Sequence, residues 1–292
     1  MNAKVKRSRI WELDFFRGLS ILLVVIDHAM YDFSGVFSFW ASSGSKFLRF
    51  LNATGTAYLS SDVRFLWRPA FLFIFFFTSG LCTAFSRNNF LRGLRLCTVA
   101  AVISVSTYLA DRLFGTSVYA MFGVIHCIAT VILIYACVDF IIRFIPKIYS
   151  KIAKKEAKPQ FERILHIVIC LAIGVACCFI NKKYNVSLHE VNGNFTAIDT
   201  DSKILGLFFY CDNWWTADYF PLFPFIAFFF LGAGFTRILY EKKRSLLPQL
   251  DGVWHKAFTV PGRYSIFFYL GGQVVAIGLG MMLSLIICGR AF

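Results

Sequence analysis

Residues 16–32 read FRGLSILLVVIDHAMYD, an apolar run that carries Asp27, His28 and Asp32 in its second half. An ionisable group in hydrocarbon costs from a few to many kcal/mol, so such groups usually face a bundle interior or a wet cavity. Asp14 and Arg17 stand just before the run, at the expected membrane entry. At about 100° per residue, Arg17 and His28 lie three turns apart and within roughly 20° of one face. Asp32 is one turn beyond, and Asp14 one turn before. The four groups therefore form a stripe about 27 Å long on one helix, at about 1.5 Å per residue. A helix that served only as an anchor has no use for that stripe.

Composition agrees with a membrane setting. Of 292 residues, 58% are hydrophobic and only 16% charged, with 35 Phe. Soluble domains carry about 25% charged residues. The predicted fold is all-α: a polytopic transmembrane helical bundle, a single domain over residues 1–292. Window hydropathy predicts seven spans, at roughly 14–36, 65–86, 94–114, 119–145, 163–181, 219–240 and 264–288. The runs are continuously apolar rather than alternating, which argues against a β-barrel.

The net charge of +14 would suit a nucleic-acid partner, but its placement excludes one. Lys and Arg sit mainly between the apolar runs, where they orient the chain in the lipid bilayer. The N-terminus, the connection with Arg87, Arg92 and Arg95, the connection from Lys147 to Arg163, and the one from Lys242 to Arg263 are basic. The intervening connections 37–64, 115–118 and 182–218 are less so. Seven spans then place the N-terminus in the cytoplasm and the C-terminus outside, in a multi-pass protein of the cell membrane. No cleavable signal is expected. Nine Cys, mostly inside apolar runs and with no CxxC pair, read as small buried hydrophobes.

His28 leads the candidates for chemistry. An imidazole titrates near neutrality and can take a proton from a hydroxyl or amine nucleophile. Asp32, at i+4, is placed to meet and orient the ring. Asp27 points about 100° away from His28 and is expected to pair with another helix. The competing reading is a structural polar knot. Arg17 is either an interfacial arginine paired with Asp14 or a phosphate clamp for a nucleotide-bearing donor such as an acyl-CoA. Arg17, Arg87, Arg92 and Arg95 form a basic rim that favours donor phosphates.

His126, in FGVIHC, is either a hydrogen-bonded packing residue or a site residue. His166 reads as interfacial, and His189 and His255 as loop residues. Asp218 in ADYFPLFPF is an end-of-helix anchor or a site group. Trp214 and Trp215, in NWWTADYFP, are belt residues or a carbohydrate-stacking platform, with Trp215 the substrate-binding candidate. Gly232 with Gly234, and Gly271 with Gly272, are expected at close helix contacts. One His and one Asp are too few ligands for a zinc site, so no metal is expected. There is no G-x-S-x-G, Walker A or G-x-G-x-x-G signature.

Several blocks together resemble the bacterial relatives of the heparan-α-glucosaminide N-acetyltransferase catalytic domain. They are RIWELDFFRGLSILLVVIDHAMYDF, FTSGLCTAFSRNNFLRGLRL, FGVIHCIATVILI, DYFPLFPFIAFFFLGAGF and GRYSIFFYLGGQ, in the family's order and over most of the chain. The first block also resembles the R-x10-H signature of the broader membrane acyltransferase superfamily, carried by Arg17 and His28. The resemblance implies transfer of an acyl group, most plainly acetyl from acetyl-CoA, from a cytoplasmic donor to a sugar or glycan acceptor at the other face. It implies Arg17 near the donor and His28 at the transfer step, and adds Asp14, Asp32, His126 and Asp218 as site-lining groups. One departure stands out: relatives commonly carry a His in the last span where this chain reads YLGGQ around Gly271. The rival functions are a proton-coupled transporter or flippase, and a non-enzymatic membrane protein that kept the fold. The acceptor and the oligomeric state are left open by the sequence.

Overall fold

The computed structural model describes residues 10–115, 118–154, 158–183, 202–211, 216 and 218–289. Ten α-helices occur among them: α1 (Trp11–Ser34), α2 (Lys46–Leu59), α3 (Asp62–Leu81), α4 (Asn89–Phe114), α5 (Val124–Ala153), α6 (Pro159–Lys183), α7 (Lys203–Phe208), α8 (Phe225–Leu239), α9 (Lys256–Arg263) and α10 (Ser265–Cys288). Among the described residues there is no strand, only a bridge between Phe122 and Tyr219. The fold is an all-α, multi-pass membrane bundle.

Each of the seven predicted spans falls on a helix. Among the described residues, five stretches are long and apolar enough to cross a bilayer: Asp62–Phe85, Asn89–Leu113, Val124–Ala153, Pro159–Lys182 and Ser265–Cys288. The other two differ for physical reasons. Helix α1 carries Glu12, Asp14, Arg17, Asp27 and Asp32, too many charges for a plain span. Helix α8 has 15 residues, about 22 Å at 1.5 Å each, and is shorter than a hydrocarbon core of about 30 Å. The run predicted from 219 is not helical before Phe225.

The chain divides into two compact units. The first comprises Met1–Phe75 and Ser245–Phe292. Its organising contact is the crossing of α1 and α9 at two glycines. A Cβ on Gly18 would run into the carbonyl oxygen of Phe258 and come within 2.7 Å of the Gly262 amide nitrogen. A Cβ on Gly262 would run into the carbonyl oxygen of Asp14. Two bare Cα atoms are what let these backbones meet. Beside the crossing, Trp11 stacks on His255 at 4.5 Å between ring centroids and donates Nε1–H to the Leu247 carbonyl at 3.1 Å. His255 lies in the turn before α9, as expected of a loop residue, and is buried. Helix α10 packs on α1 with Gly272 against Val25, whereas Gly271 has open space around it and does not mark a close contact. The connection after α1 folds back as a 3-10 turn and α2. There Phe37, Trp40 and Leu48 are buried together, and Trp40 Nε1–H reaches Ser284 Oγ at 2.8 Å.

The second unit comprises Phe76–Arg244. Gly80 of α3 sits against the backbone of Phe229, and Gly232 of α8 against that of Phe77. Gly234 meets Leu171 and Gly174 meets Leu231, which brings α6 onto α8. Phe76 stacks on Phe225 at 4.7 Å, and Thr236 Oγ1–H is donated to the Leu81 carbonyl at 2.7 Å. Helix α4 starts on an Asn88 cap, whose side chain accepts Leu91 N–H, and stops at Gly115 with φ of +63°.

Replacing Gly262 by valine forces α9 off α1. The expected loss is about 1–3 kcal/mol or more, the range for overpacking a closed site. Thermal unfolding of the purified protein checks it; an unchanged midpoint contradicts the crossing.

Candidate functional site

In the first unit, each charged group of the α1 stripe has a partner from elsewhere in the chain. Asp14 accepts Arg263 Nε–H at 3.1 Å. Arg17 donates to Ser265 Oγ at 3.3 Å, and that hydroxyl donates to the Gly262 carbonyl at 2.6 Å. Asp27 receives Arg64 Nε–H at 2.8 Å and the Tyr58 hydroxyl at 3.0 Å on the same oxygen. Arg68 Nε stands 3.7 Å from its other oxygen. The α1 geometry predicts this interhelical pairing, since Asp27 turns away from His28. Burial first, then the Asp27 charge, push the Tyr58 phenol above its ordinary value, so it remains a donor at neutral pH.

Asp32 has a different partner from the one its spacing suggests. Both its oxygens accept from Gln273 Nε2, each at 3.0 Å, and the residue is 2% exposed. No hydrogen bond joins it to His28. The reason lies in the ring. His28 Nδ1 is 3.0 Å from the Val24 carbonyl oxygen, which can only accept. Nδ1 therefore carries a hydrogen and spends it on Val24 rather than on Asp32. Nε2 makes no hydrogen bond among the described residues. The ring edge packs against Tyr269 at 5.6 Å and 80°.

In the second unit, His126 and Asp218 meet at the start of α5. Asp218 accepts Val124 N–H at 3.1 Å, and a Cβ on Gly123 would strike its carboxylate. His126 Nδ1 accepts Gly123 N–H at 3.2 Å, so Nε2 carries the hydrogen and donates to Ser104 Oγ at 2.8 Å. Ser104 in turn donates to the Ala120 carbonyl at 2.8 Å. Both ring nitrogens are thus committed: Nδ1 answers an N–H at the N-terminus of α5, where orphan N–H groups need acceptors, and Nε2 ties that end to α4. His166, expected at an interface, is instead 2% exposed, with Nε2 at 2.8 Å from the Tyr135 hydroxyl. Arg87 is exposed and lines an open groove with Asp139 and Arg143. Arg92 donates to Ser79 Oγ at 2.7 Å. Trp215 and Trp214 lie outside the described residues. Among the described residues no group of three or more His, Cys, Asp or Glu is placed to hold a metal ion.

Sequence reasoning missed three partners, Tyr58, Arg64 and Tyr269, whereas Gln273 in YLGGQ does supply a hydrogen bond. A signal existed for some of them. Arg64 and Arg68 are four residues apart at the start of an apolar helix, the pattern of a second charged stripe that must meet an opposite one.

These features define a class: a multi-pass helical membrane protein whose first long helix carries a paired charge stripe around one histidine with a free ring nitrogen. The family is shown directly. Residues 9–149 and 159–274 match the family model described as heparan-alpha-glucosaminide N-acetyltransferase, catalytic, and the chain belongs to that family. A membrane acetyltransferase-type function, with acetyl-CoA use in general, goes with it. Comparison with curated proteins and with solved structures gives no match.

Gln273→Leu strips Asp32 of both donors. A buried carboxylate left unsatisfied costs about 1–3 kcal/mol or more, so the unfolding midpoint falls. Gln273→Glu sets two carboxylates together and lowers it further. Thermal unfolding of both variants checks the order.

Proposed function

We propose that the protein transfers an acetyl group from cytoplasmic acetyl-CoA to a hydroxyl or amine of a sugar or glycan acceptor. The observation that carries this reading is the state of the His28 ring: Nδ1–H is tied to Val24, and Nε2 keeps its lone pair. Such a nitrogen is a general base. The acceptor's O–H or N–H gives its proton to Nε2 while its heteroatom attacks the thioester carbonyl carbon. The C–S bond then breaks, and the imidazolium returns the proton to the departing thiolate. Attack by Nε2 itself, through an acyl-histidine, uses the same lone pair.

The remaining residues take supporting roles. Asp32 is within electrostatic range of His28 and offsets the imidazolium charge. Asp27, locked by Arg64, fixes the same turn of α1 from the other side. Arg17 spends one bond on Ser265 and keeps further donors for the donor's phosphates. Asp14 holds Arg263 beside it, and Arg87 belongs to the basic rim. His126 and Asp218 position the start of α5, with Trp215 as the acceptor platform. The charge alternation supports a seven-span layout with a cytoplasmic N-terminus, in the cell membrane, with residues 1–292 acting as one domain.

Transfer from labelled acetyl-CoA by the purified, reconstituted protein tests this. His28→Ala is expected to lower the rate by about 10²–10⁴-fold, the usual worth of a general base, with helicity unchanged. A wild-type rate in that variant overturns the role of His28. Proton-coupled solute flux that needs no acyl-CoA overturns the transferase reading.

A further inference from the structure

In the first unit, the segment 245–255 leads into α9 and is folded inside out for a loop in water. Its polar groups turn inward, onto the start of α1. Buried Glu12 accepts Ser245 Oγ–H at 2.9 Å and Leu246 N–H at 2.6 Å. The Leu247 carbonyl takes Trp11 Nε1–H, His255 stacks on the Trp11 ring, and Asp251 Oδ1 stands 2.9 Å from His255 Nε2. The N–H groups of Leu246, Leu247, Leu250 and Asp251 find acceptors inside the protein, so they need no water. Even the Trp254 Nε1–H is spent on the Leu250 carbonyl, at 2.8 Å. What remains outward is largely apolar. Leu246, Leu247, Leu250, Val253 and Trp254 are exposed, Val253 by 75% and Trp254 by 59%. Along α9 the surface continues over Ala257, Val260 and Tyr264, which share the helical face away from Gly262 and are exposed. Phe267 then carries it onto α10, a helix long and apolar enough to cross a bilayer. A contiguous exposed apolar patch of this kind marks a contact surface. Gln249, Asp251 and Lys256 are exposed among these side chains, a mixture that suits the headgroup–acyl boundary rather than the hydrocarbon centre.

We propose that residues 246–264 lie in the plane of the membrane, at the headgroup–acyl boundary of the leaflet that meets the N-terminal end of α1. Leu250, Val253 and Trp254 enter among the acyl chains. Lipid is the occupant of this surface because the surface is continuous with that of α10, through Tyr264 and Phe267. Irregular backbone tolerates such a place only when its polar groups are answered within the protein, and here the inward hydrogen bonds answer them. The segment does for α1 what hydropathy cannot. Between Arg17 and Asp27, α1 has only the short uncharged run 18–26, against the roughly 20 apolar residues that set a span in a bilayer. Trp11 and Glu12 tie this end of α1 to a segment that holds to the leaflet surface, so the segment is an in-plane anchor for the charge stripe.

The full chain is reconstituted in phosphatidylcholine nanodiscs whose lipids carry bromine either near the headgroup end of the acyl chains or near their methyl end. The Trp254 signal is the tryptophan emission of the wild type less that of Trp254→Phe. Shallow bromines are expected to quench it about twofold more than deep ones, as suits insertion by about 5–10 Å, and soluble iodide is expected to reach little of it. Val253→Asp sets a carboxylate into the boundary, and is expected to cut the shallow quenching about twofold and to admit iodide. Trp11 touches Trp254, so a second reporter, Val253→Trp in the Trp254→Phe background, repeats the measurement and is expected to give the same order. Quenching by iodide and not by bromine puts the segment in water and overturns the proposal. Quenching by neither puts it against protein, a second copy included, and overturns it too, as does stronger quenching by the deep bromines. A folded Val253→Asp variant that keeps the wild-type pattern also overturns it; should that variant lose helicity, the two reporters decide. None of these readouts depends on acetyl transfer, so the proposed activity stands or falls by its own test.

Discussion

Charge that cannot reach water must be answered inside the protein, and α1 brings five such groups into an apolar setting. Their answers come from elsewhere in the first unit: Ser245 and Leu246 for Glu12, Arg263 for Asp14, Ser265 for Arg17, Arg64 with Tyr58 for Asp27, and Gln273 for Asp32. Each pairing is also an instruction about packing. Lipid gives helices no hydrophobic reason to associate, so polar pairs and close backbone contact must supply it. Removing one partner of a buried ion pair costs about 3–5 kcal/mol. The stripe on α1 therefore fixes where α2, α3, α9 and α10 lie in the first unit.

Glycine performs the matching task for the backbone. Gly18 with Gly262 in the first unit, and Gly80 with Gly232 in the second, each bring one helix's Cα onto another's carbonyl. At that separation the helix faces are shaped by the backbones themselves. Where a glycine has no neighbour, as at Gly271, the same residue type carries no such information.

The helices, their membrane character and the family were legible in the sequence because each leaves a local signature: continuous apolar runs, charges between them, and ordered blocks. The charge stripe on α1 was legible for the same reason, since helix period fixes which residues share a face. Partner identity was not. Asp32 and His28 stand at the right spacing to meet, yet the Val24 carbonyl takes the ring's Nδ1–H and Gln273 takes both Asp32 oxygens. Spacing lists who is able to touch; the count of donors decides who does. His126 shows the same limit. Its helix and apolar surroundings were plain, but its two hydrogen bonds to Gly123 and Ser104 depend on a turn and on a second helix. Residues 219–240 read as one apolar run, but hydropathy does not register that Phe220 N–H goes to Phe122 and that Leu222 and Phe223 N–H go to Leu207 and Phe208, so the helix starts only at Phe225.

The departure around Gly271 now has a physical shape. Where the family resemblance leads one to expect an imidazole in this span, this chain places Tyr269 against His28 and Gln273 on Asp32. An imidazole donating to a buried carboxylate binds it most strongly when protonated, so its grip varies with pH. A primary amide has two permanent N–H donors and never titrates. Asp32 is then held by a partner whose N–H donors are the same at every pH, and His28 Nε2 makes no hydrogen bond among the described residues. The amide answers the buried carboxylate without adding a titratable group to this face of the first unit.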